Sequence, residues 1–228
     1  MKKIVTIVAV LIVVFIILNS SIKKHGVPEQ AYPWQIKILA DGKTQVFNVI
    51  FEETKLKAVD AILQSEPTLA VFESKDKTTL EAYYKSVALG GLTGDFIFTV
   101  ATTNAGLDKL KKESKRQQHT EDNARRYDLD KNAIAEVKNY PVKNLIYIPV
   151  VQLDQEMVVR RFGEPGEKIK IIPAAGEEKA PEVWHYLYAD KGLDVIIHEK
   201  GKEVMQYVSP KEFKVLREPL LRNQNPLR

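Results

Sequence analysis

His185 and His198 are the residues whose types and spacing come nearest to a reactive cluster. Asp190, Asp194 and Glu199 lie close to them in the chain, and two imidazoles with one carboxylate can ligate zinc. Strand alternation argues against that reading. It sets His185 with Val183 and Leu187, on the face opposite Trp184, Tyr186 and Tyr188. Neither His-x-His nor His-Glu-x-x-His spacing occurs. His185, Asp194 and His198 are also where an unrecognised hydrolytic site would fall, and an envelope hydrolase is one alternative function. No serine stands in a Gly-x-Ser-x-Gly setting. The glycine-rich run Gly90-Gly91-Leu92-Thr93-Gly94 lacks a following Gly-Lys-Ser/Thr and reads as a hairpin turn, not a phosphate cradle. The chain has no cysteine, which removes disulfides, thiol chemistry, thiolate metal sites and an acylated cysteine. The expectation is a protein that is not an enzyme, with no catalytic residue, no cofactor and no metal.

A second set carries recognition chemistry rather than reaction chemistry. Trp184, Tyr186, Tyr188 and Tyr207 form an aromatic stripe on predicted strands. It serves either as core packing beneath a helix over residues 153–162 or as an exposed protein-binding face, since sheet aromatics make good hot spots.

The elements that position these groups follow from periodicity. Trp34, Ile36 and Ile38 alternate with polar neighbours before the Asp41-Gly42 turn, and residues 45–51 supply the return strand. Thr54 is placed to cap a short helix carrying Leu56, Val59, Ile62 and Leu63, which Ser65-Glu66-Pro67 ends. Residues 68–73, 80–89 and 95–102 read as strands around the glycine turn. Residues 104–126 hold seven basic and four acidic residues between 107 and 126, and Leu107 and Leu110 give them a narrow apolar stripe. They read as a solvated, mobile helical stretch. Residues 126–129 suggest one more strand. Asp130 caps a helix through Val137, residues 142–151 return to strand, and Ser209-Pro210-Lys211-Glu212 is a capping box for a last helix to about Leu216.

Lys2 and Lys3 precede residues 4–18, fifteen residues without a charge. At central insertion values they favour membrane entry by roughly 4 to 8 kcal/mol. Fifteen helical residues span only ~22 Å of a ~30 Å core, so residues 19–22 are needed to extend the span. Asn19-Ser20-Ser21 is a poor cleavage site. The expectation is an uncleaved signal-anchor at residues 1–22, contacting the membrane through residues 4–22. The chain would be single-pass in the cytoplasmic membrane with its globular part extracytoplasmic, periplasmic in a Gram-negative cell. The alternative is a soluble periplasmic binder with a cleaved signal peptide. The net charge of +4 is small and mixed in sign, which excludes nucleic acid as the expected partner.

The order strand, helix, Glu-Pro, strand, strand, turn, strand occurs twice, about 98 residues apart, with small insertions. The expected fold class is α+β: an N-terminal membrane helix, then two duplicated units, each a short helix on a small antiparallel meander. The expected boundaries are a tether at 23–33, units at 34–126 and 127–218, and a polar tail at 219–228.

The second unit resembles the SmpA/OmlA family of exported envelope domains. Its members include the small BamE lipoprotein, and its fold is shared with β-lactamase inhibitory proteins. The residues that carry the resemblance are Gln155, Val158 or Val159, Gly163-Glu164-Pro165, Trp184-His185-Tyr186, Leu193-Asp194-Val195, Gly201 and Val204. It covers about 55 residues well, as far as aligned short motifs can. Members are typically lipidated on a cysteine, which this chain lacks. The resemblance implies a non-catalytic binding or scaffolding module of the bacterial cell envelope, with a protein partner.

Overall fold

The computed structural model describes residues 32–75, 77–120, 124–171 and 181–224. Strands β1 (Lys37–Ile38), β2 (Thr44–Val46) and β3 (Val49–Ile50) make a small antiparallel sheet. Ten more strands form one continuous sheet: β4 (Thr68–Glu73), β5 (Thr78–Leu89), β6 (Leu92–Val100), β7 (Arg116–His119), β8 (Arg125–Asp128), β9 (Val142–Pro149), β10 (Glu167–Lys170), β11 (Val183–Tyr188), β12 (Leu193–His198) and β13 (Val204–Tyr207). Their spatial order is β10-β11-β12-β13-β9-β6-β5-β4-β8-β7, and every pairing is antiparallel. The helices are α1 (Leu56–Leu63), α2 (Asn104–Lys112), α3 (Lys131–Val137), α4 (Gln155–Phe162) and α5 (Lys214–Gln224).

Two features of the expected architecture are corrected. The membrane helix at residues 4–22 lies outside the described residues. Among those residues no helix is long and apolar enough to cross a membrane, the longest being the eleven-residue α5. The signal-anchor, the membrane contact and the single-pass location are therefore not carried forward. Nor do the α+β elements form two separate meanders. The element order α1-β4-β5-β6 recurs as α4-β10-β11-β12, but pairing of β6 from the first unit with β9 from the second fuses all the strands into one sheet. Merging removes two exposed strand edges, each a row of unpaired backbone groups.

Sidedness follows from alternation. Leu80, Ala82 and Tyr84 of β5, Phe96, Phe98 and Val100 of β6, and Leu145 and Tyr147 of β9 point to one face and are buried. The apolar faces of α1 to α4, such as Val59, Leu107, Val137 and Val158, join them in the main core. α5 lies on the opposite face, where Leu220 and Phe213 pack with Ile169 and Leu187. Side-chain caps explain three helix starts: Thr103 accepts from Gly106 N, Asp130 from Ala133 N and Asp154 from Met157 N. α1 starts differently from the expectation that Thr54 caps it. Its first donors, Leu56 N and Lys57 N, bond the carbonyls of Tyr140 and Lys138, while Thr54 Oγ1 accepts from Ile50 N.

Three further local expectations change. Residues 104–126 are not a solvated stretch throughout, because Leu107 and Leu110 are buried and Arg116–His119 pairs with Arg125–Asp128 at the sheet edge. The return strand expected at 45–51 is broken by a turn at Phe47 and Asn48, both at positive φ, into β2 and β3. Ser209 makes no side-chain cap. Its carbonyl accepts from Glu212 N in a 3-10 turn, and α5 then runs on through Pro219 to Gln224.

Candidate functional site: the outer face of the sheet

His185 stands on β11 and Asp194 on β12, on one face and diagonal to each other across the ladder. His185 Nδ1 lies 2.7 Å from Asp194 Oδ2, with exposures of only 7% and 2%. Asp194 Oδ1 is buried with no donor among the described residues. Burial pushes the Asp194 carboxyl above its usual range, and the His185 hydrogen bond works in the opposite direction. His198 sits further along the same face of β12, partly exposed and hydrogen-bonded to neither. Asp190 is exposed beside Lys191, and Glu199 Oε2 accepts from Glu182 N. Among the described residues no group of three or more such side chains is placed to hold a metal. The structure joins His185 to Asp194 and leaves His198 out. The pair shares its sheet face with Ile169 and Leu187, the two residues on which α5 packs.

The aromatic stripe is not an accessible face. Tyr186, Tyr188 and Tyr207 are buried in the main core. Each hydroxyl is satisfied internally: Tyr186 donates to Gln155 Oε1, Tyr188 to the Gly163 carbonyl and Tyr207 to the Pro33 carbonyl. Burial pushes the Tyr188 phenol up to about 12. Only Trp184 stays partly exposed, with Lys170 Nζ over its ring and its indole N–H donating to Glu182. The physical reason is α4, whose Val158 and Phe162 lie on the same side of the sheet and cover the tyrosines. With α5 on the other side, the β10–β12 meander is covered on both faces.

The uncovered surface lies elsewhere, and strand register reveals it. Directly paired residues run across eight strands in one row: Glu167, Leu187, Asp194, Gln206, Ile146, Ile97, Tyr83 and Thr68. The first three belong to the end under α5, where Arg217 also grips Glu167 with two hydrogen bonds. From Gln206 onward the row is partly or fully exposed. Tyr83, Ile97 and Ile146, with Ile148 on the neighbouring row, belong to neither packed cluster. They form a partly exposed apolar band on a sheet face that no described helix covers.

Polar groups organise the band. Asp95 accepts from the Tyr83 hydroxyl at 2.9 Å and from Ser86 N at 2.7 Å. Burial and this carboxylate raise the Tyr83 phenol above its ordinary value. The Ser86 bond holds a bulge, with Ser86 at φ 52, which shifts the register between Tyr84 and Val87. At one end the face opens into a cleft of about 280 Å³ between Thr79, Thr99 and Asn144 on the sheet and Val208, Glu212 and Val215 of the C-terminal segment. Lys143 and Glu212, which also line it, are ion-paired at 2.9 Å.

Sequence reasoning missed this surface because only register places Tyr83 beside Ile97 and Ile97 beside Ile146. A signal for it does exist. In 96–100 and 145–149 apolar residues occupy outward as well as inward positions, where a half-solvated strand should alternate.

Compared with protein-family models, curated proteins and solved structures, the chain matches none. The SmpA/OmlA resemblance thus gains no family assignment, and a BamE-like identity is not carried forward.

Proposed function

We propose that this chain is a non-catalytic binding protein that takes a protein partner on the open outer face of β4, β5, β6, β9 and β13. The observation that carries the proposal is the paired row Tyr83–Ile97–Ile146, partly exposed apolar side chains facing outward from regular strands with no layer packed on them among the described residues. Each aliphatic side chain fully removed from water contributes about 1.5 to 3 kcal/mol, so completing the burial of this band favours association. Apolar anchors at the centre with polar neighbours around them are the anatomy of a protein interface. Asp95, Gln206 and the polar cleft supply the rim. The His185–Asp194 pair is given a structural role, since it lies on the face that α5 covers.

Site-specific photocrosslinking tests the reading. A photoreactive amino acid at Ile97 or Ile146 is expected to give one discrete adduct in the native cell, absent when placed at the exposed Ala61 of α1. Ile97→Asp should abolish the adduct formed from position 146 while leaving thermal unfolding of the protein intact. Equal adducts from 61 and 97, or none from the face, would defeat the proposal.

A further inference from the structure

On the helix side of the sheet, away from the outer face, nine residues line a small pocket of about 140 Å³, among them Trp34, Tyr147, Val151, Leu153, Met157 and Arg161. Eight of the nine lining residues are apolar or aromatic, and Arg161 is the exception. A space of this size holds one ring or one branched side chain; an apolar cavity of ~150 Å³ stays dry and takes benzene. The guanidinium carbon of Arg161 lies 4.6 Å from the centre of the Trp34 ring. Trp34 is itself fixed by stacking on Tyr32 at 5.0 Å and by an edge contact with Phe162. Arg161 has no ion pair and no hydrogen bond among the described residues, whereas its neighbour Arg160 is paired with Glu156. Val151, at the rim of the lining, and Val150 beside it are 47% and 57% exposed.

We propose that this pocket binds the C-terminus of a partner polypeptide whose last residue is bulky and apolar. The side chain enters the pocket and the terminal carboxylate meets the Arg161 guanidinium. The contact with the Trp34 ring holds the guanidinium in place without using its N–H donors, which leaves a fork matched to a carboxylate. Charge complementarity selects this occupant over the chain's own N-terminal segment, whose apolar residues are flanked by Lys2, Lys3, Lys23 and Lys24. The exposed valines select it over a free carboxylic acid, because residues preceding a peptide's last one would cover them. This site is independent of the outer-face proposal, and either can fail alone.

The test uses the full chain and follows the Trp34 indole N–H by NMR in a Trp184→Phe background. The probes are Ala-Ser-Ala-Phe with a free carboxylate, its C-terminal amide, and phenylacetate. The free-acid peptide is expected to shift the Trp34 signal saturably and to bind about tenfold or more tighter than the amide, the scale of a hydrogen bond to a charged group. Arg161→Gln should erase the difference between acid and amide, and Arg161→Lys should restore part of it. Arg161 is exposed, so both variants should keep the wild-type unfolding temperature. Equal binding of acid and amide, or no Trp34 shift, overturns the proposal. Phenylacetate binding as tightly as the peptide overturns it too, and assigns the pocket to a free acid.

Discussion

Asp194 accepts a 2.7 Å hydrogen bond from the His185 ring while its second carboxylate oxygen lies buried without a donor among the described residues. The carboxyl is therefore caught between one favourable contact and a large desolvation cost, and desolvation prevails. A carboxyl whose folded pKa is raised above its ordinary 3.8 binds its proton more tightly in the fold than in the unfolded chain. Its contribution to stability is complete below 3.8 and is lost as pH rises through the folded value. Asp194→Asn removes that loss. Urea unfolding from about pH 4 to about pH 7 should show wild-type stability falling relative to the variant as pH rises. His185→Ala leaves the carboxyl with no partner and is expected to cost about 1 to 3 kcal/mol.

Phe47 is a bulky residue at φ 52, conformational space that costs non-glycine residues about 1 to 2 kcal/mol. The turn it shares with Asn48 drives its ring into the main core, 5.0 Å from Phe96, 5.1 Å from Tyr147 and 6.4 Å from Tyr207. This contact fastens the three-stranded sheet to the large one. Phe47→Ala should cost about 3 to 5 kcal/mol in denaturant unfolding. A double-mutant cycle with Phe96→Ala should return a coupling of about 0.5 to 1.5 kcal/mol.

Gly94 is needed for close approach. A Cβ there would stand 2.3 Å from Tyr147 Cε2 and 2.8 Å from the Ile148 carbonyl oxygen. The ring can turn away only into a packed aromatic cluster, and the backbone oxygen belongs to the β6–β9 ladder. Gly94→Ala should destabilise by about 1 to 3 kcal/mol. Gly166→Ala, whose nearest new contact is an ordinary 3.7 Å, should lie within about 0.5 kcal/mol of wild type by the same assay.

Asp60 ties three elements together. It accepts from the Tyr84 hydroxyl at 2.7 Å and from Lys138 Nζ at 2.6 Å, while Lys138 also pairs with Glu66. Tyr84 is fully buried, and burial together with Asp60 raises its phenol far above the usual value. Asp60→Ala strands a buried hydroxyl and should cost about 2 to 4 kcal/mol, whereas Asp60→Asn keeps an acceptor and should cost less than half of that. Calorimetric melting of the two variants distinguishes them.

Local physics was enough for much of the secondary structure. Leu80, Ala82 and Tyr84 point inward in alternation with the outward Glu81 and Tyr83, as a strand requires, and the glycines at 90 and 91 close a two-residue hairpin at positive φ. Asp130 and Val137 bound a helix that the sequence itself delimits. Such features depend on neighbours a few residues away, so a single chain reveals them. The element order that occurs twice was legible for the same reason.

Placement across the fold was not legible. Nothing local in Tyr186, Tyr188 or Tyr207 tells a buried stripe from an exposed one, and α4 decided it by lying on their side of the sheet. The β6–β9 pairing, between strands far apart in the chain, turned two expected meanders into one sheet. Together with the β13–β9 and β5–β6 ladders it set Gln206, Ile146, Ile97 and Tyr83 in one row. Register is a property of two strands at once, fixed by which faces the helices bury, and a one-residue slip would send every side chain to the opposite face. By itself the sequence determined the type and approximate place of most strands and helices, that no cysteine chemistry is available, and which residues are apolar. Only the tertiary structure decided which of those apolar residues the helices bury and which stay partly exposed, because that depends on strand register and helix placement.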